Sequence, residues 1–436
     1  MSINSRAVHR ASVLTAACVA CGLSELVLAA ASSPSGPTIP LCPGLTIVTA
    51  VSQQDGDYES IKTIQSVSDA EVQMKYSAEM KNTDMLSSGP ELKTVNLGRS
   101  MLVKDLQSAT DYQQVFLEKS DEKIPGTTSI GTSAAVLRDL KSKGQSPFGM
   151  SLAYSDLTLT ADRNKSPNYY SYLEQGIVKR VPGPASLQVI VNDVPTNLPV
   201  IVAQGTLVAD KVEFMFLDDV RNPLTLSFRI GIDAIQPLNP QWLQLCAAMM
   251  KNGGATQGLP GGGRCDKPNG GDRDVLRVVK IAFRCPVSMP TAAAGPGAAG
   301  PGGQGSGANG MGGSGVLEKE LAEQQKVDIY SIYFSFNSDA IRDESTPTLK
   351  EIADILTRHP DWRLAVNGHT DGIGGDQYNL DLSKRRAAAV VKALTTGYHI
   401  DPARLRYAGF GKSQPKDTND TLEGRAKNRR VELMRF

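Results

Sequence analysis

Aromatic residues, net charge and long apolar runs are all scarce in this sequence. Aromatic side chains make up 6% of the 436 residues, and the formal net charge is +1. A chain with neither a basic excess nor an acidic tail is not expected to bind nucleic acid. Beyond residue 23 no apolar run is long enough for a transmembrane helix. The composition favours a globular protein, and the length allows two or three domains.

Histidine is scarce too, and its placement argues against a metalloenzyme. The chain has 4 histidines, which are scattered and form no HExxH motif. The loop CDKPNGGDRD at residues 265–274 lacks the ligand spacing of an EF-hand. Residues 42–290 contain no evident nucleophile–base arrangement. The sequence therefore predicts no metal, no cofactor and no enzymatic activity.

The first 31 residues have the features of a secretory signal. Arg6, His9 and Arg10 give a positive start, residues 11–23 are apolar or small, and residues 29–31 offer a cleavage site. Cleavage after Ala31 would deliver the mature chain to the cell envelope.

Two alternatives to a cleaved signal stay open. One is an uncleaved anchor, although the apolar stretch before Glu25 is short for a bilayer span. The other is lipidation at Cys18 or Cys21, because LTAAC at residues 14–18 loosely resembles a lipoprotein box.

An even number of cysteines remains after residue 31, which in an exported chain suggests two disulfides. They are Cys42, Cys246, Cys265 and Cys285. They allow three pairings, and four separate buried thiols are a further alternative. We favour a local Cys246–Cys265 bridge and a Cys42–Cys285 bridge that ties the ends of one domain together.

Residues 42–290 are predicted to form a β-rich region. Residues 224–232 alternate apolar and polar side chains, which is the period of a strand with one buried face. Lys211–Leu217 is a second strand, joined to the first by a hairpin loop at residues 218–223. Further strands are predicted at 45–51, 72–76, 186–191, 199–207 and 275–283, with helices at 137–144 and 241–251.

The sequence alone allows three roles for the β-rich region. We favour a periplasmic β-domain. An outer-membrane β-barrel porin is an alternative, although the strands are short and the aromatic girdles of such barrels are missing. An enzymatic or ligand-binding module, localised by the rest of the chain, is a second alternative.

The composition changes sharply at residue 291. Residues 291–315 are almost entirely Gly, Ala, Pro, Ser, Gln and Asn, without the strict three-residue period of collagen. This segment is predicted to be a flexible linker with a typical end-to-end distance of roughly 25–30 Å. Such a linker would let the following module search for a partner, and a passive spacer is the simpler interpretation.

Residues 316–436, the C-terminal domain, alternate strands and helices. A helix at 347–358 is expected to begin at Thr346-Pro347 and to end before Pro360. This order predicts an α/β sandwich with helices packed on one mixed sheet, so the whole chain belongs to the α+β class. The other predicted elements are a helix at 382–395 and strands at 330–336, 362–366, 405–408 and 430–433.

Four motifs in this domain carry a family resemblance. They are YFSFNSDAI at 333–341, NGHTDGIGGDQYNLDLSKRRA at 367–387, YAGFGKSQP at 407–415 and TNDTLEGRAKNRRVEL at 418–433. Through these motifs, residues 327–433 resemble the OmpA-like peptidoglycan-binding domain, which also occurs in peptidoglycan-associated lipoproteins and flagellar stator proteins. The resemblance implies non-covalent binding of the diaminopimelate in the peptidoglycan stem peptide.

The resemblance also implies which residues form the site. Asp371, which follows His369-Thr370, and Arg386, which precedes Ala387, match the family's pair for the diamino acid. The other matching positions are Thr370, Asn379, Leu382, Asn337 and Arg429.

The chemistry of this pair agrees with that assignment. Diaminopimelate carries an ammonium and a carboxylate on one carbon, so Asp371 can accept from the first and Arg386 can donate two parallel bonds to the second. A helix that opens near Leu382 or Ser383 would add free N–H groups favouring an anion. Without the resemblance, a structural Asp371–Arg386 ion pair is the simpler interpretation.

The sequence therefore predicts an exported, non-enzymatic protein of the periplasm or the outer-membrane side of the envelope. Its expected partners are peptidoglycan and the outer membrane or its proteins, and a homo-oligomer stays open. Its function would be to link or position the outer envelope relative to the cell wall.

Overall fold

The chain is described here by a computed structural model. It covers residues 37–53, 56–81, 92–113, 122–151, 173–207, 210–230, 232, 274–285 and 315–436. The predicted signal, the helix at 241–251, the Cys246–Cys265 bridge and all but the last residue of the linker at 291–315 lie outside these residues.

Strands dominate the β-rich region, as its alternating pattern predicts. The strands are β1 Thr46–Gln53, β2 Gly56–Val67, β3 Glu71–Lys81, β4 Leu92–Leu102, β5 Asp111–Gln113, β6 Glu122–Lys123, β7 Thr127–Thr128, β8 Gln145–Ser151, β9 Leu173–Arg180, β10 Ser186–Val191, β11 Val194–Leu207, β12 Asp210–Leu217, β13 Thr225–Ile230 and β14 Asp274–Ala282. The helices described in this region are α1 Val103–Ser108 and α2 Ala134–Ser142.

These strands form one 14-stranded sheet. Its order is β6-β4-β3-β2-β1-β14-β13-β12-β11-β9-β8-β5-β7, and β10 pairs with both β11 and β14. The central pairs β2–β1, β1–β14 and β14–β13 are antiparallel. The first and last long strands of the region are therefore neighbours, which brings the two ends of the region together.

The predicted hairpin at residues 211–232 forms as β12 and β13, but its burial differs from the expectation. Leu226 and Phe228 are buried, and Ser227 on the opposite face is buried as well, at 2% exposure. The expectation of one exposed face is wrong because both faces of β13 are covered. Small hydroxyl side chains at Thr225 and Ser227 fit this crowded face, and alternation of polarity alone did not reveal it.

Four phenylalanine rings lie together in one core of the β-rich region. Phe148, Phe214, Phe216 and Phe228 lie together, with ring centroids 4.9 to 5.8 Å apart. The buried face of α2, with Val136, Leu137 and Leu140, completes this cluster. Large rings at close range give the region a core despite the low aromatic content.

A disulfide joins Cys42 to Cys285, and this predicted pairing is confirmed. Cys42 lies just before β1 and Cys285 just after β14, so the bridge extends an antiparallel strand pair whose register begins at Thr46 and Ala282. The bridge closes a separation of 243 residues. Cross-links of this kind typically stabilise by about 2–4 kcal/mol.

The C-terminal domain is the predicted mixed sheet with helices. Its helices are α3 Val316–Glu323, α4 Thr346–Arg358, α5 Asp376–Gly397 and α6 Leu422–Asn428, and its strands are β15 Lys326–Ile329, β16 Leu364–Gly368, β17 Leu405–Gly409 and β18 Val431–Arg435. Short 3₁₀ turns lie at 343–345 and 402–404. The strand order is β15-β18-β16-β17, in which only β16 and β17 are parallel. Leu349, Ile352 and Leu356 of α4 and Ala387, Val390 and Leu394 of α5 form its core with the sheet.

The strand predicted at 330–336 is wrong. The sheet strand is β15, and only Phe334 in the predicted range makes a bridge, to Ile341. Side chains satisfy the backbone of this segment instead of a ladder. The Asp193 carboxylate accepts from the N–H groups of Tyr330 and Ser331, and the Ser345 hydroxyl accepts from the N–H of Tyr333.

The start of helix α5 also differs from the expectation. The helix begins at Asp376, six residues before Leu382, because Asn379 already belongs to its buried face. The expected free N–H groups at Leu382 or Ser383 are therefore absent, since both residues lie inside the helix. The polar run DQYN resembles a loop in sequence but forms the first turn of the helix.

The β-rich region and the C-terminal domain share a buried apolar cluster. Val48, Ala50, Ile61 and Val279 of the sheet pack against Tyr333, Leu422 and Ala426.

Among the described residues, no helix is long and apolar enough to span a membrane.

Candidate functional site

The site lies where the loops after β16 and β17 meet the start of β18. The carboxyl ends of parallel strands share one edge of a sheet, which places these loops together. Backbone bonds then fix them. Phe410 N donates to the Gly368 carbonyl at 2.9 Å, Thr370 N to that of Gly411 at 2.9 Å, and His369 N to that of Arg430 at 3.1 Å.

Gly368 sets how closely the end of β16 approaches helix α5. A Cβ atom at this position would lie 2.1 Å from the Ser383 carbonyl oxygen. Only glycine fits this approach, because no backbone atom of the helix can move that far. The glycine of the NGH motif therefore sets the distance between the charged loop and the helix that carries Arg386.

The loop at residues 371–375 is held by side-chain bonds. Asn379 Nδ2 donates to the Ile373 carbonyl at 2.9 Å, and Gly372 N donates to Asn419 Oδ1 at 2.7 Å. Gly374 has a φ of +96°, which glycine adopts without strain. Asn379 is buried, at 2% exposure, so it holds the loop in place from below.

Asp371 pairs with Arg429 and not with Arg386. Arg429 Nη1 donates to Asp371 Oδ2 at 2.7 Å, while Asp371 Oδ1 accepts from Ile373 N at 3.0 Å. The structural ion pair between Asp371 and Arg386, which was the simpler interpretation of the sequence, therefore does not form. Burial opposes the charge of Arg429, but the carboxylates of Glu59 and Asp371 outweigh it and raise its pKa.

Arg386 reaches across to the loop at residues 335–340. Its Nε donates to the Ser338 carbonyl at 2.9 Å and its Nη2 to the Ser335 carbonyl at 3.4 Å. Its guanidinium carbon lies 5.0 Å from the centre of the Phe334 ring. Burial, and then the neighbouring Arg429, lower the pKa of Arg386 to about 10, which Asp371 only partly offsets. Among the described residues Arg386 forms no salt bridge. Its guanidinium bonds directly to two backbone carbonyls and lies over a ring face, while the carboxylates of Asp371 and Glu59 act on its charge without direct contact.

The remaining predicted residues surround these charges. Thr370 is 5% exposed and Leu382 6% exposed, so both form the floor beneath the loop. Asn337 is exposed in the loop that Arg386 holds, with a φ of +55°, a conformation that asparagine tolerates. The structure thus brings Asp371, Arg386 and Arg429 to one end of the sheet, with the other four residues beside or below them.

His369 belongs to the core beneath the charged loop. It is 3% exposed and stacks on Phe410 with ring centroids 5.3 Å apart. Neither ring nitrogen has a hydrogen-bond partner among the described residues. Burial, followed by the charge of Arg430, lowers the pKa of His369 to about 4.

Two residues of the β-rich region were missed by the sequence reasoning. The Glu59 carboxylate accepts from Arg429 Nη2, and Lys280 lines the same cleft, which also contains Tyr333, Phe334 and Arg386. Glu59 and Arg429 are 370 positions apart in sequence. No local motif marks such a contact, so no signal in the sequence could have found it.

The charged groups at this edge can hold a ligand that carries charges of both signs. Across the described parts of the chain, no cluster of three His, Cys, Asp or Glu side chains has metal-binding geometry. The arrangement offers the Asp371 carboxylate, on a loop that Asn379 and Asn419 hold, and the guanidinium groups of Arg386 on helix α5 and Arg429 just after helix α6. The fold and site define a small α/β binding domain.

The comparisons with known proteins identify the family of this domain. Residues 333–429 match the model of the OmpA family, so this part of the chain is an OmpA-family domain. The chain is 39% identical over 112 residues to outer membrane porin F of Pseudomonas aeruginosa. This match covers 26% of the present chain and 32% of the relative. The chain is 40% identical over 101 residues to outer membrane protein A of Bordetella avium, covering 23% of this chain and 52% of the relative. The chain therefore spans a third to about half of the length of these relatives.

Among solved structures, the peptidoglycan-associated lipoprotein of Burkholderia pseudomallei is 31% identical. The match covers 24% of this chain and 88% of that protein, with a TM-score of 0.23.

Proposed function

We propose that the C-terminal domain binds the peptidoglycan stem peptide non-covalently through its diaminopimelate. In this proposal Asp371 accepts from the ligand ammonium and Arg386 donates to the ligand carboxylate. The exported chain thereby positions the outer side of the envelope relative to the cell wall. The two outer-membrane relatives named above support this placement.

One observation carries the proposal. Arg386 is half-buried at the site, bonds to two neutral carbonyls and forms no salt bridge among the described residues. A guanidinium that is partly removed from water and has no carboxylate in direct contact gains free energy when an anion arrives. Its pKa is held down to about 10 for the same reason. A ligand carboxylate would meet a guanidinium whose orientation the carbonyls of Ser335 and Ser338 already fix.

Asp371 supplies the second half of the recognition. Its side chain keeps 13% exposure, and the bond from Ile373 N fixes its direction. An ammonium group that joined Arg429 on this carboxylate would complete the hydrogen bonds of its two oxygens. A ligand that carries both charges on one carbon would then bridge Asp371 and Arg386.

Sedimentation with isolated peptidoglycan sacculi tests this assignment. Residues 315–436 have their own core and their own sheet, so they are suited to separate expression. We expect this fragment to sediment with sacculi, and we expect Asp371→Ala and Arg386→Ala each to reduce the bound fraction at least about tenfold, because each removes a charge-assisted bond. Arg386→Lys should fail nearly as much, since lysine cannot donate two parallel bonds.

Arg385→Ala is the matched control. Arg385 is the neighbouring arginine, and it pairs with Asp381 and Asp339 on the half-exposed side of the helix. Its loss should change sedimentation only mildly. Binding by both the Asp371→Ala and Arg386→Ala fragments at the level of the unchanged fragment would refute the site.

A further inference from the structure

The face of the C-terminal domain that carries the candidate site is covered by the β-rich region. The apolar cluster around Val48 and Tyr333 forms the centre of this contact. Polar contacts surround it. Arg342 Nη2 donates to the Ser77 hydroxyl at 2.6 Å, Arg277 pairs with Glu423, and the Glu79 carboxylate accepts from Phe336 N.

The last of these contacts reaches the loop that Arg386 holds. Phe336 lies between Ser335 and Ser338, whose carbonyls accept from Arg386. The sheet therefore contacts both walls of the site, at Phe336 on one side and at Arg429 on the other.

Glu59 enters the site itself. Arg429 divides its guanidinium between Asp371, on Nη1, and Glu59, on Nη2. Glu59 and Ile61 lie on the same face of β2, so the apolar contact of Ile61 directs Glu59 toward Arg429. The cleft left beside them is about 60 Å³, well below the roughly 300 Å³ of a small ligand pocket.

The sheet presents the same two charges as the proposed ligand. Glu59 on β2 offers a carboxylate and Lys280 on β14 an ammonium, and both line this cleft. Burial opposes the charge of Glu59, but Arg429 and Lys280 outweigh it and lower its pKa to about 2. Glu59 therefore stays ionised as an anion within a group of three cations, namely Arg386, Arg429 and Lys280.

We propose that Glu59 is an internal competitor of the cell-wall ligand, so that peptidoglycan binds only when the β-rich region leaves the C-terminal domain. The inference rests on the proposed function, because it assigns a regulation to that same site. Residues 286–314 connect the two regions and can span at most roughly 100 Å, which leaves room for separation.

Removing the charge of Glu59 should strengthen the binding of the ligand. When the competent state is only a fraction of the population, the apparent dissociation constant rises by the inverse of that fraction. Removing the charge of Glu59 weakens the closed state and so increases the competent fraction. A residue that instead contacted the ligand would have the opposite effect when removed.

Titration calorimetry with a soluble peptidoglycan fragment, a disaccharide tripeptide ending in diaminopimelate, tests this. Three proteins are compared. They are the full chain without its predicted signal, which starts at residue 32, the Glu59→Gln variant of this full chain, and residues 315–436. We expect the full chain to bind about tenfold more weakly than residues 315–436, and Glu59→Gln to recover most of that difference. Glu71→Gln is the matched control, because Glu71 lies in the same sheet but pairs with Lys123, and it should bind like the unchanged chain.

The outcomes separate the two proposals. Equal affinity of the full chain, Glu59→Gln and residues 315–436 would overturn the competition and leave the binding function intact. Weaker binding by Glu59→Gln than by the full chain would also overturn it and would make Glu59 a ligand contact. Failure of residues 315–436 to bind the fragment at all would overturn the proposed function, and the competition with it.

Discussion

His369 shows at the scale of one residue how the site is kept rigid. Its ring is buried against Phe410, and its backbone N–H joins β16 to the residue that precedes β18. Protonation would place a charge in this core, where the described part of the chain offers the ring no hydrogen-bond acceptor. Because burial disfavours the protonated ring, the pKa of His369 is lowered to about 4.

The shifted pKa predicts how the stability of the domain depends on pH. The folded domain keeps His369 neutral down to about pH 4, whereas in the unfolded chain the ring takes up a proton below about pH 6.5. The unfolded state therefore binds more protons between these values, and the free energy of unfolding falls as pH decreases through this window, by about 3 kcal/mol in all. Urea unfolding of residues 315–436 at several pH values measures it.

Replacing the ring isolates this contribution. His369→Phe keeps a ring on Phe410 and cannot titrate, so we expect its free energy of unfolding to lose most of the decline between pH 6.5 and 4. His399→Asn, at an exposed histidine with a φ of +57°, is the control that should keep the decline. An undiminished decline in His369→Phe would contradict this role.

At the same scale, sequence identified which charged residues meet but not how they pair. Motif matching selected Asp371, Arg386 and Arg429, and all three lie at one end of the sheet. The alternative of a structural Asp371–Arg386 ion pair is wrong, because Asp371 pairs with Arg429. Hydrogen-bond partners depend on distances of a few tenths of an ångström, which spacing along the chain does not determine.

At the scale of elements, the sequence predicted the order of helices and strands in the C-terminal domain, but it did not predict all of their boundaries. Helix α4 follows its proline signals and its apolar period. Helix α5 begins earlier than predicted, and residues 330–336 are held by Asp193 and Ser345 rather than by a ladder. Asp193 lies in the turn between β10 and β11, in the other region of the chain, so local pattern reasoning could not include it.

The packing of β16 on α5 gives a prediction at this scale. Gly368→Ala places a methyl group against the Ser383 carbonyl, and we expect residues 315–436 to lose at least about 2–3 kcal/mol in free energy of unfolding. Because β16 and α5 also position Asp371 and Arg386, binding to sacculi should weaken in the same variant. Chemical denaturation measures the first effect and sedimentation the second.

Gly397→Ala is the matched control within the same element. It lies at the exposed end of α5 with open space around its Cβ position and without a positive φ. We expect this change to be neutral or slightly stabilising, since alanine reduces the entropy of the unfolded chain. Equal stability of the two glycine variants would contradict the close approach of strand and helix.

At the scale of the whole molecule, sequence predicted the parts better than their assembly. The β-rich region, the mixed α/β domain and the Cys42–Cys285 bridge all form. The linker composition suggested a C-terminal module that searches independently, whereas the structure shows the two regions in contact through Val48, Ile61, Tyr333 and their neighbours. Contacts between residues hundreds of positions apart depend on the shapes of both folded surfaces, which periodicity and motifs do not encode.

The central claim is that the domain recognises a carbon bearing both an ammonium and a carboxylate. Its most direct test is to titrate residues 315–436 with two soluble stem-peptide fragments, one ending in diaminopimelate and one with lysine in its place. Lysine keeps the ammonium and lacks the carboxylate, so we predict affinity at least about tenfold lower for the lysine fragment, a difference that Arg386→Ala should abolish. Equal affinity for the two fragments would contradict the account.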